Sequence, residues 1–467
     1  MIELIASSTL SGLMNCSSEN RISRRRFGQI ALGTAASLIA PRIAEAQTPK
    51  DLPNIIVITL DTLRWDRTSI DPTHDNDNTP FLAQLSRSGI VFNNAHSTAD
   101  NTLRSHFSLF TGVHRGFQGD HDIPENAFPH HLQTLGYETV AVTANPSLNP
   151  DTVNYLKCFD TYRFIANENG QARLQPEMQE IFDYYNAPTN KVSAILLSVD
   201  AKYVLPRVRQ VLERRQEKPL CLFVNFLDPH DPYYPPKEFY DVSQEKILYD
   251  FYSDVRTRHI PKWESLVPEE QVPEIMERVR RSGNRRWALS LDLGPEQLAR
   301  YKARYDACIR YLDSQVAKLF KMFEDFNLYE ESVIFVTSDH GEAFGEEGFI
   351  GHSLGMQGDT EVTTHVPFIL IPERKVLRHP LYVDDPITIA DIAPTIWEIL
   401  GVDSASEVSR RELGDKYGKS LVRYGKDYFP ARSRGESFPL RTKTDRSKDE
   451  EERKAIEEQM RALGYLE

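Results

Sequence analysis

Short, uninterrupted apolar runs alternate along the chain with longer stretches in which apolar residues return every three or four positions. The runs Asn54–Leu60, Glu138–Thr143, Leu220–Phe226, Ser332–Thr337 and Pro367–Ile371 have the length of strands. Their lack of polar alternation predicts burial on both faces of a sheet. Pro80–Ser88 and Gln297–Phe326 carry helical spacing, and Ser105–Thr111 reads as a short helix closed by Gly112. No internal repeat is visible. Strands alternating with helices predict a doubly wound, mostly parallel α/β sheet flanked by helices. Residues 245–300 read as a helical insertion. After Gly401 the chain becomes strongly charged and ends in a helix-like stretch, Asp449–Leu463.

The N-terminus changes the picture of where the domain starts. Ser23-Arg24-Arg25-Arg26-Phe27 resembles a twin-arginine export signal, Ile30–Ala40 is apolar, and Ala44-Glu45-Ala46 has the small-x-small form of a cleavage site. Residues 1–46 are therefore expected to be a signal peptide, with Gln47 the first mature residue and the product periplasmic or secreted. Met14 is an alternative start. The apolar run is too short to span a bilayer, and no membrane span is expected in the mature chain. Four cysteines without CxxC or Cys/His spacing predict neither a disulfide framework nor a zinc finger. A formal charge of −13 argues against nucleic acid as a partner. It leaves room for a small anionic substrate, because a local site can be positive on an acidic protein.

Candidate chemistry gathers where strands end. Asn54–Leu60 runs into Asp61, Leu220–Phe226 into Leu227-Asp228-Pro229-His230, and Ser332–Thr337 through Ser338 into Asp339-His340. Ligands of an open parallel sheet bind beyond the carboxyl ends of its strands, so these residues are expected to converge. Two carboxylates and an imidazole make a mixed set suited to one divalent cation, although Asp61 alone also suits a helix N-cap. Thr102 is placed just before a helix N-terminus, where free amides and the helix dipole favour an anion. A plain cap is the structural alternative for it.

Four segments together resemble the sulfatase family of the alkaline phosphatase superfamily: Asp61-Thr62-Leu63-Arg64, Thr102 to Gly112, Asp228-Pro229-His230-Asp231-Pro232-Tyr233, and Ser338-Asp339-His340-Gly341-Glu342. Tyr305–Asp313, Asp391-Ile392-Ala393-Pro394-Thr395 and Ala462-Leu463-Gly464-Tyr465 are also similar. The likeness runs from about Pro53 to Gly401 and implies a catalytic domain over 53–401. It implies metal ligation by Asp61, Asp339 and His340, with calcium, or manganese or zinc, as the ion. Thr102 falls at the nucleophile position. His230 falls where a histidine binds the ester or protonates the leaving oxygen, and His352 where a lysine or histidine lies near the anion. His106, Arg104 and Arg64 are expected to bind substrate. Residues 402–467 look reduced relative to the family's C-terminal sheet.

The departures from the family pattern bear on chemistry. No cysteine or serine begins a C/S-x-P-x-R motif, so no formylglycine is expected. Arg104 stands in place of its proline and His106 in place of its arginine. Thr62 replaces the second aspartate of the metal pair. A threonine ester cannot expel sulfate by reforming a carbonyl, so its intermediate must be opened by a second attack. The resemblance implies a metal-dependent hydrolase of sulfate esters, acting on a small anionic ester or a sulfated glycan. The alternatives are a phosphodiesterase, phosphonate hydrolase or phosphoglycerol-type transferase, and thirdly a non-catalytic anion-binding protein. Arg278, Arg280, Arg281, Arg285 and Arg286 read as a solvated helical face rather than a pocket rim.

Overall fold

Strands form where apolar residues run without a break. In a computed structural model of the chain, β1 (Asn54–Leu60) is buried at all seven positions. The structure describes residues 52–114, 127–148, 154–164, 201–230, 233, 235–240, 295–346, 350–352, 360–373, 380–402, 418–425 and 428–429. The expected signal peptide, the five-arginine cluster, most of the 245–300 insertion and Asp449–Leu463 lie outside these residues.

The other strands follow in chain order: β2 (Ile90–Phe92), β3 (Ala95–His96), β4 (Glu138–Thr143), β5 (Thr161–Phe164), β6 (Leu220–Phe226), β7 (Ser332–Thr337), β8 (Ala343–Phe344), β9 (Ile350–Gly351), β10 (Phe368–Ile371), β11 (Leu381–Val383) and β12 (Ile387–Thr388). Eight of them make one sheet in the order β11-β2-β10-β7-β1-β6-β4-β5. Every pairing in it is parallel except the two made by β10, which runs against both β7 and β2. The doubly wound, mostly parallel α/β fold is thus present, with one reversed strand. The expected strand Pro367–Ile371 starts one residue later, as suits a proline with no N–H to give to a ladder.

Helices cover both faces. Ile56, Ile58 and Leu60 point into one apolar cluster with α1 (Pro80–Leu85), α4 (Ala201–Glu213) and α5 (Pro295–Asp325). Ile55 and Val57 point into the other, with α2 (Thr102–Thr111), α3 (Phe128–Thr134) and α6 (Ile392–Ile399). The period-two alternation of strand side chains divides the core in this way. Each fully buried Ile or Phe contributes about 1.5–3 kcal/mol.

A row of polar residues crosses this apolar sheet. Thr143, Asn225, Thr59 and Thr337 stand opposite one another on β4, β6, β1 and β7, and all four are fully buried. They lie at or next to the carboxyl ends of their strands. Among the described residues no helix is long and apolar enough to cross a membrane.

Candidate metal and anion-ester site

The site starts from the turn after β1. Asp61 is fully buried, and its N–H donates to the Phe226 carbonyl (2.9 Å). The next residue, Thr62, has φ of 58°, a left-handed conformation that is costly for a β-branched side chain. Neighbours hold it there. The Tyr305 hydroxyl donates to the Thr62 carbonyl (2.6 Å) and accepts from the Arg64 N–H (3.0 Å). Leu63 N–H donates to Ser338 Oγ (2.9 Å), and Thr62 N–H to Asp339 Oδ1 (3.3 Å). The turns after β1 and β7 are thereby tied together, and their carboxylates share one buried space.

His340 completes the cluster. Its Nδ1 hydrogen goes to the Gly341 carbonyl (2.9 Å), which leaves the Nε2 lone pair free to face inward. Nε2 lies 3.4 Å from Thr102 Oγ1, 3.6 Å from Asp339 Oδ2 and 4.0 Å from Asp61 Oδ1. Glycine at 341 is required by close approach, since a Cβ there would sit 2.1 Å from the Val362 carbonyl oxygen. Ligand atoms of Asp61, Asp339 and His340 all lie within 4.8 Å of one another. Asp61 Oδ1 and Asp339 Oδ2 are buried without a hydrogen-bond partner, an arrangement that is costly unless a cation compensates. Burial first, and then the Asp339 charge, push the Asp61 carboxyl well above its usual range. Burial works against the His340 imidazolium, but Asp339 and Asp61 outweigh it and raise the imidazole. Two carboxylate oxygens and one imidazole nitrogen therefore fit a divalent cation.

Thr102 is the first residue of α2, not the residue before it. The cap is Asn101, whose side chain accepts from the Arg104 N–H (3.1 Å). The structural alternative for Thr102 thus passes to its neighbour. Gly112 closes the helix at φ 75°, where glycine carries no Cβ penalty. Thr102 Oγ1 lies between His340 Nε2 and Asn145 Nδ2, the latter at 3.3 Å. The same Nδ2 donates to Asp61 Oδ2.

Two further histidines reach this rim. The His230 and His352 ring centroids are 4.8 Å apart, and those of His352 and His340 4.4 Å. His352 Nδ1 is 2.9 Å from Glu342 Oε1, and both side chains are buried. The expected catalytic and metal residues Asp61, Thr102, His352, Asp339 and His340 are therefore in one cluster, with His230 against His352.

The three expected substrate-binding residues fare differently. Arg64 is buried, and its guanidinium donates to both Asp66 carboxylate oxygens (2.8 and 2.7 Å), the Glu342 carbonyl (3.0 Å) and Glu346 Oε1 (3.1 Å). It is a cross-link within the fold rather than a substrate clamp. His106 is fully buried beneath Thr102, where Nδ1 donates to the Thr102 carbonyl (2.8 Å) and Nε2 meets Thr59 Oγ1 (3.3 Å). Burial lowers its pKa, so a neutral ring fits this place. Arg104 is partly exposed in the first turn of α2.

Asn145, and Glu342 as the partner of His352, are not among the site residues expected from the sequence. Each had a signal. Asn145 is polar and closely follows a buried strand, as Asp61 does. Glu342 directly extends the Asp-His-Gly segment.

The sulfatase family profile matches residues 53–402. An arylsulfatase of Clostridium perfringens is 22% identical over 398 residues, covering 78% of each chain. A choline-sulfatase of Rhizobium meliloti is 23% identical, covering 75% of this chain and 68% of that one. Among solved structures, a phosphonate monoester hydrolase of Agrobacterium radiobacter superposes with TM-score 0.52 at 18% identity, covering 86% of this chain and 82% of the other. A protein solved with its substrate D-glucosamine-2-N, 6-O-disulfate gives TM-score 0.50 at 18% identity, covering 83% and 82%. With the profile spanning most of the chain and the metal-type cluster at the carboxyl rim of its sheet, the chain belongs to the sulfatase family of hydrolases, within the alkaline phosphatase superfamily.

Proposed function

We propose that this chain is a sulfuric ester hydrolase that uses Thr102 as its nucleophile. The observation that carries the reading is the position of Thr102 Oγ1, 3.4 Å from His340 Nε2 and beside two buried carboxylates with unpartnered oxygens. When bound, a divalent cation supplies charge neutralisation at the ester and favours loss of the Thr102 hydroxyl proton to solvent. Asp61, Asp339 and His340 would hold it. The imidazole in this set suits manganese or zinc better than calcium.

The remaining work falls to side chains. Thr102 Oγ attacks sulfur while the bond from sulfur to the leaving alcohol oxygen breaks. His352, oriented through Nδ1 by Glu342, gives the alcohol its proton, with His230 against it. Water then attacks sulfur in the threonyl sulfate and passes a proton to the same imidazole, while the bond from sulfur to Thr102 Oγ breaks and that oxygen takes a proton back from solvent, releasing sulfate. Sulfated sugars are the substrate class we favour, in keeping with the sulfated glucosamine bound by the structural relative.

A second reading, hydrolysis of phosphate diesters or phosphonates, has one observation in its favour. Thr102 is an unmodified hydroxyl with no carbonyl to reform, and phosphorus tolerates the required second attack well. A parallel assay with aryl sulfate, phosphate monoester, phosphate diester and phosphonate ester separates the two. Aryl sulfate should lead, and Thr102→Ala should lower turnover at least about a thousandfold with folding intact. Thr102→Ser should keep part of the rate. Turnover by Thr102→Ala near that of the wild type would remove Thr102 from the mechanism. A faster diester or phosphonate reaction would replace the sulfate reading.

A further inference from the structure

The carboxamide of Asn145 follows β4 and is 2% exposed. Its orientation is set from inside the fold. The Ser147 N–H donates to Asn145 Oδ1 (2.7 Å), so the NH2 end must face the opposite way. From there Nδ2 donates one hydrogen to Asp61 Oδ2 and the other to Thr102 Oγ1 (3.3 Å).

The Asn145 backbone is held as well. Its N–H donates to Thr143 Oγ1 (3.1 Å), and Thr143 Oγ1 donates to Asn225 Oδ1 (2.9 Å). Asn225 Nδ2 donates to Thr59 Oγ1 (3.0 Å). Thr59 Oγ1 meets His106 Nε2 (3.3 Å), and His106 Nδ1 donates to the Thr102 carbonyl (2.8 Å). Each step has one donor and one acceptor, and every member is buried. The run leaves from Asn145 and arrives at Thr102, and the Asn145 side chain then closes it into a ring. Satisfied buried networks of this kind rigidify what they hold. The threonines and Asn225 are the polar row of the sheet, so strand register builds the ring.

One oxygen of Asp61 is thereby occupied. Oδ2 receives the amide, and Oδ1 is the buried oxygen that faces His340 without a hydrogen bond. We infer that Asn145 is a positioning residue, which assigns Oδ1 of Asp61 to the cation and holds Thr102 Oγ1 beside it. This rests on the proposed roles of Asp61, Asp339 and His340 as cation ligands and of Thr102 as nucleophile. A neutral amide performs the task without adding charge to a space already crowded with two carboxylates.

The test is titration of metal-free protein with Mn2+, Zn2+ and Ca2+ in turn, beside steady-state kinetics on the ester panel. Asn145→Ala should bind the preferred cation about 10- to 100-fold more weakly, as loss of an outer-shell partner usually does. Its kcat should fall by a similar factor while KM changes little, because the amide touches the nucleophile and not the substrate. Asn145→Ser, which keeps a shorter donor, should recover part of both. Thr143→Val, one step back in the ring, should move both in the same direction by less. If Asn145→Ala does not fold, the serine and Thr143 variants decide. Cation affinity and kcat like those of the wild type in these variants, while Asp339→Ala has lost the ion, would overturn the inference. So would a wild type that binds none of the three cations. A wild type that binds a cation and turns over no ester removes the hydrolase reading instead, and the titration still decides Asn145.

Discussion

Tyr305→Phe isolates the clamp on the strained turn. The ring stays, packed against Tyr233 and Phe344 at centroid distances of 5.7 and 4.8 Å, and only the hydroxyl is lost. That oxygen serves two buried backbone groups, the Thr62 carbonyl and the Arg64 N–H. Leaving each unsatisfied costs about 1–3 kcal/mol. Part of this is offset, because Thr62 at φ 58° holds about 1–3 kcal/mol of strain that a released turn relaxes. The net expectation is a destabilisation of about 1–3 kcal/mol, large for the removal of one oxygen from a side chain. The same turn aims Asp61 and supplies the Thr62 N–H to Asp339 Oδ1, so cation affinity should fall about tenfold. Urea unfolding of metal-free protein, with cation titration of the folded variant, measures both. A loss below about 0.5 kcal/mol, within the range of ordinary surface changes, together with unchanged affinity would refute the clamp. Thr62→Gly is the companion, since glycine adopts this backbone without a Cβ penalty, and it should not destabilise the metal-free protein as Tyr305→Phe does.

Removing the ion should matter in proportion to its binding: Mn2+ at a hundred times its Kd should add about 2.7 kcal/mol to wild-type stability, add nothing to Asp339→Ala, and be reversed by a chelator, all read by chemical denaturation. Asn101→Ala should cost about 1 kcal/mol in a thermal melt through loss of the α2 cap, with cation affinity unchanged; a lost ion would show that the cap and the site are not separable. Burial works to raise the Glu346 carboxyl, but the Arg64 guanidinium and backbone N–H groups outweigh it and bring it down to about 2. A depressed carboxylate contributes stability above its unfolded value of about 4.3 and loses it as pH falls toward 2. The stability gap between wild type and Glu346→Gln should therefore be present at neutral pH and shrink steadily below about pH 4, and a gap independent of pH would refute the pairing.

The fold class and three residues of the candidate cation site are legible in the chain's own pattern. β1, β4, β6 and β7 are legible with their bounds because each is buried on both faces, and an unbroken apolar run is what such a strand requires. Asp61 and Asp339-His340 are legible because they interrupt apolar runs at strand ends, where a parallel sheet places its ligands. β2, β5 and β11 are three or four residues long, too short to carry a period, and the reversed direction of β10 has no local signature at all. Side-chain direction is where sequence and structure part. Arg64 and His106 are polar residues beside the site motifs, yet packing turns one into a cross-link to Glu346 and buries the other beneath Thr102. Asn145 comes to face Asp61 only once β4 is set in register two strands from β1. The bond from Thr62 to Asp339 spans 277 positions of the chain. Patterns of period two or 3.6 act between near neighbours, whereas such a bond exists only once the sheet has chosen its strand order and register, and that choice rests on burying both faces of the whole sheet at once.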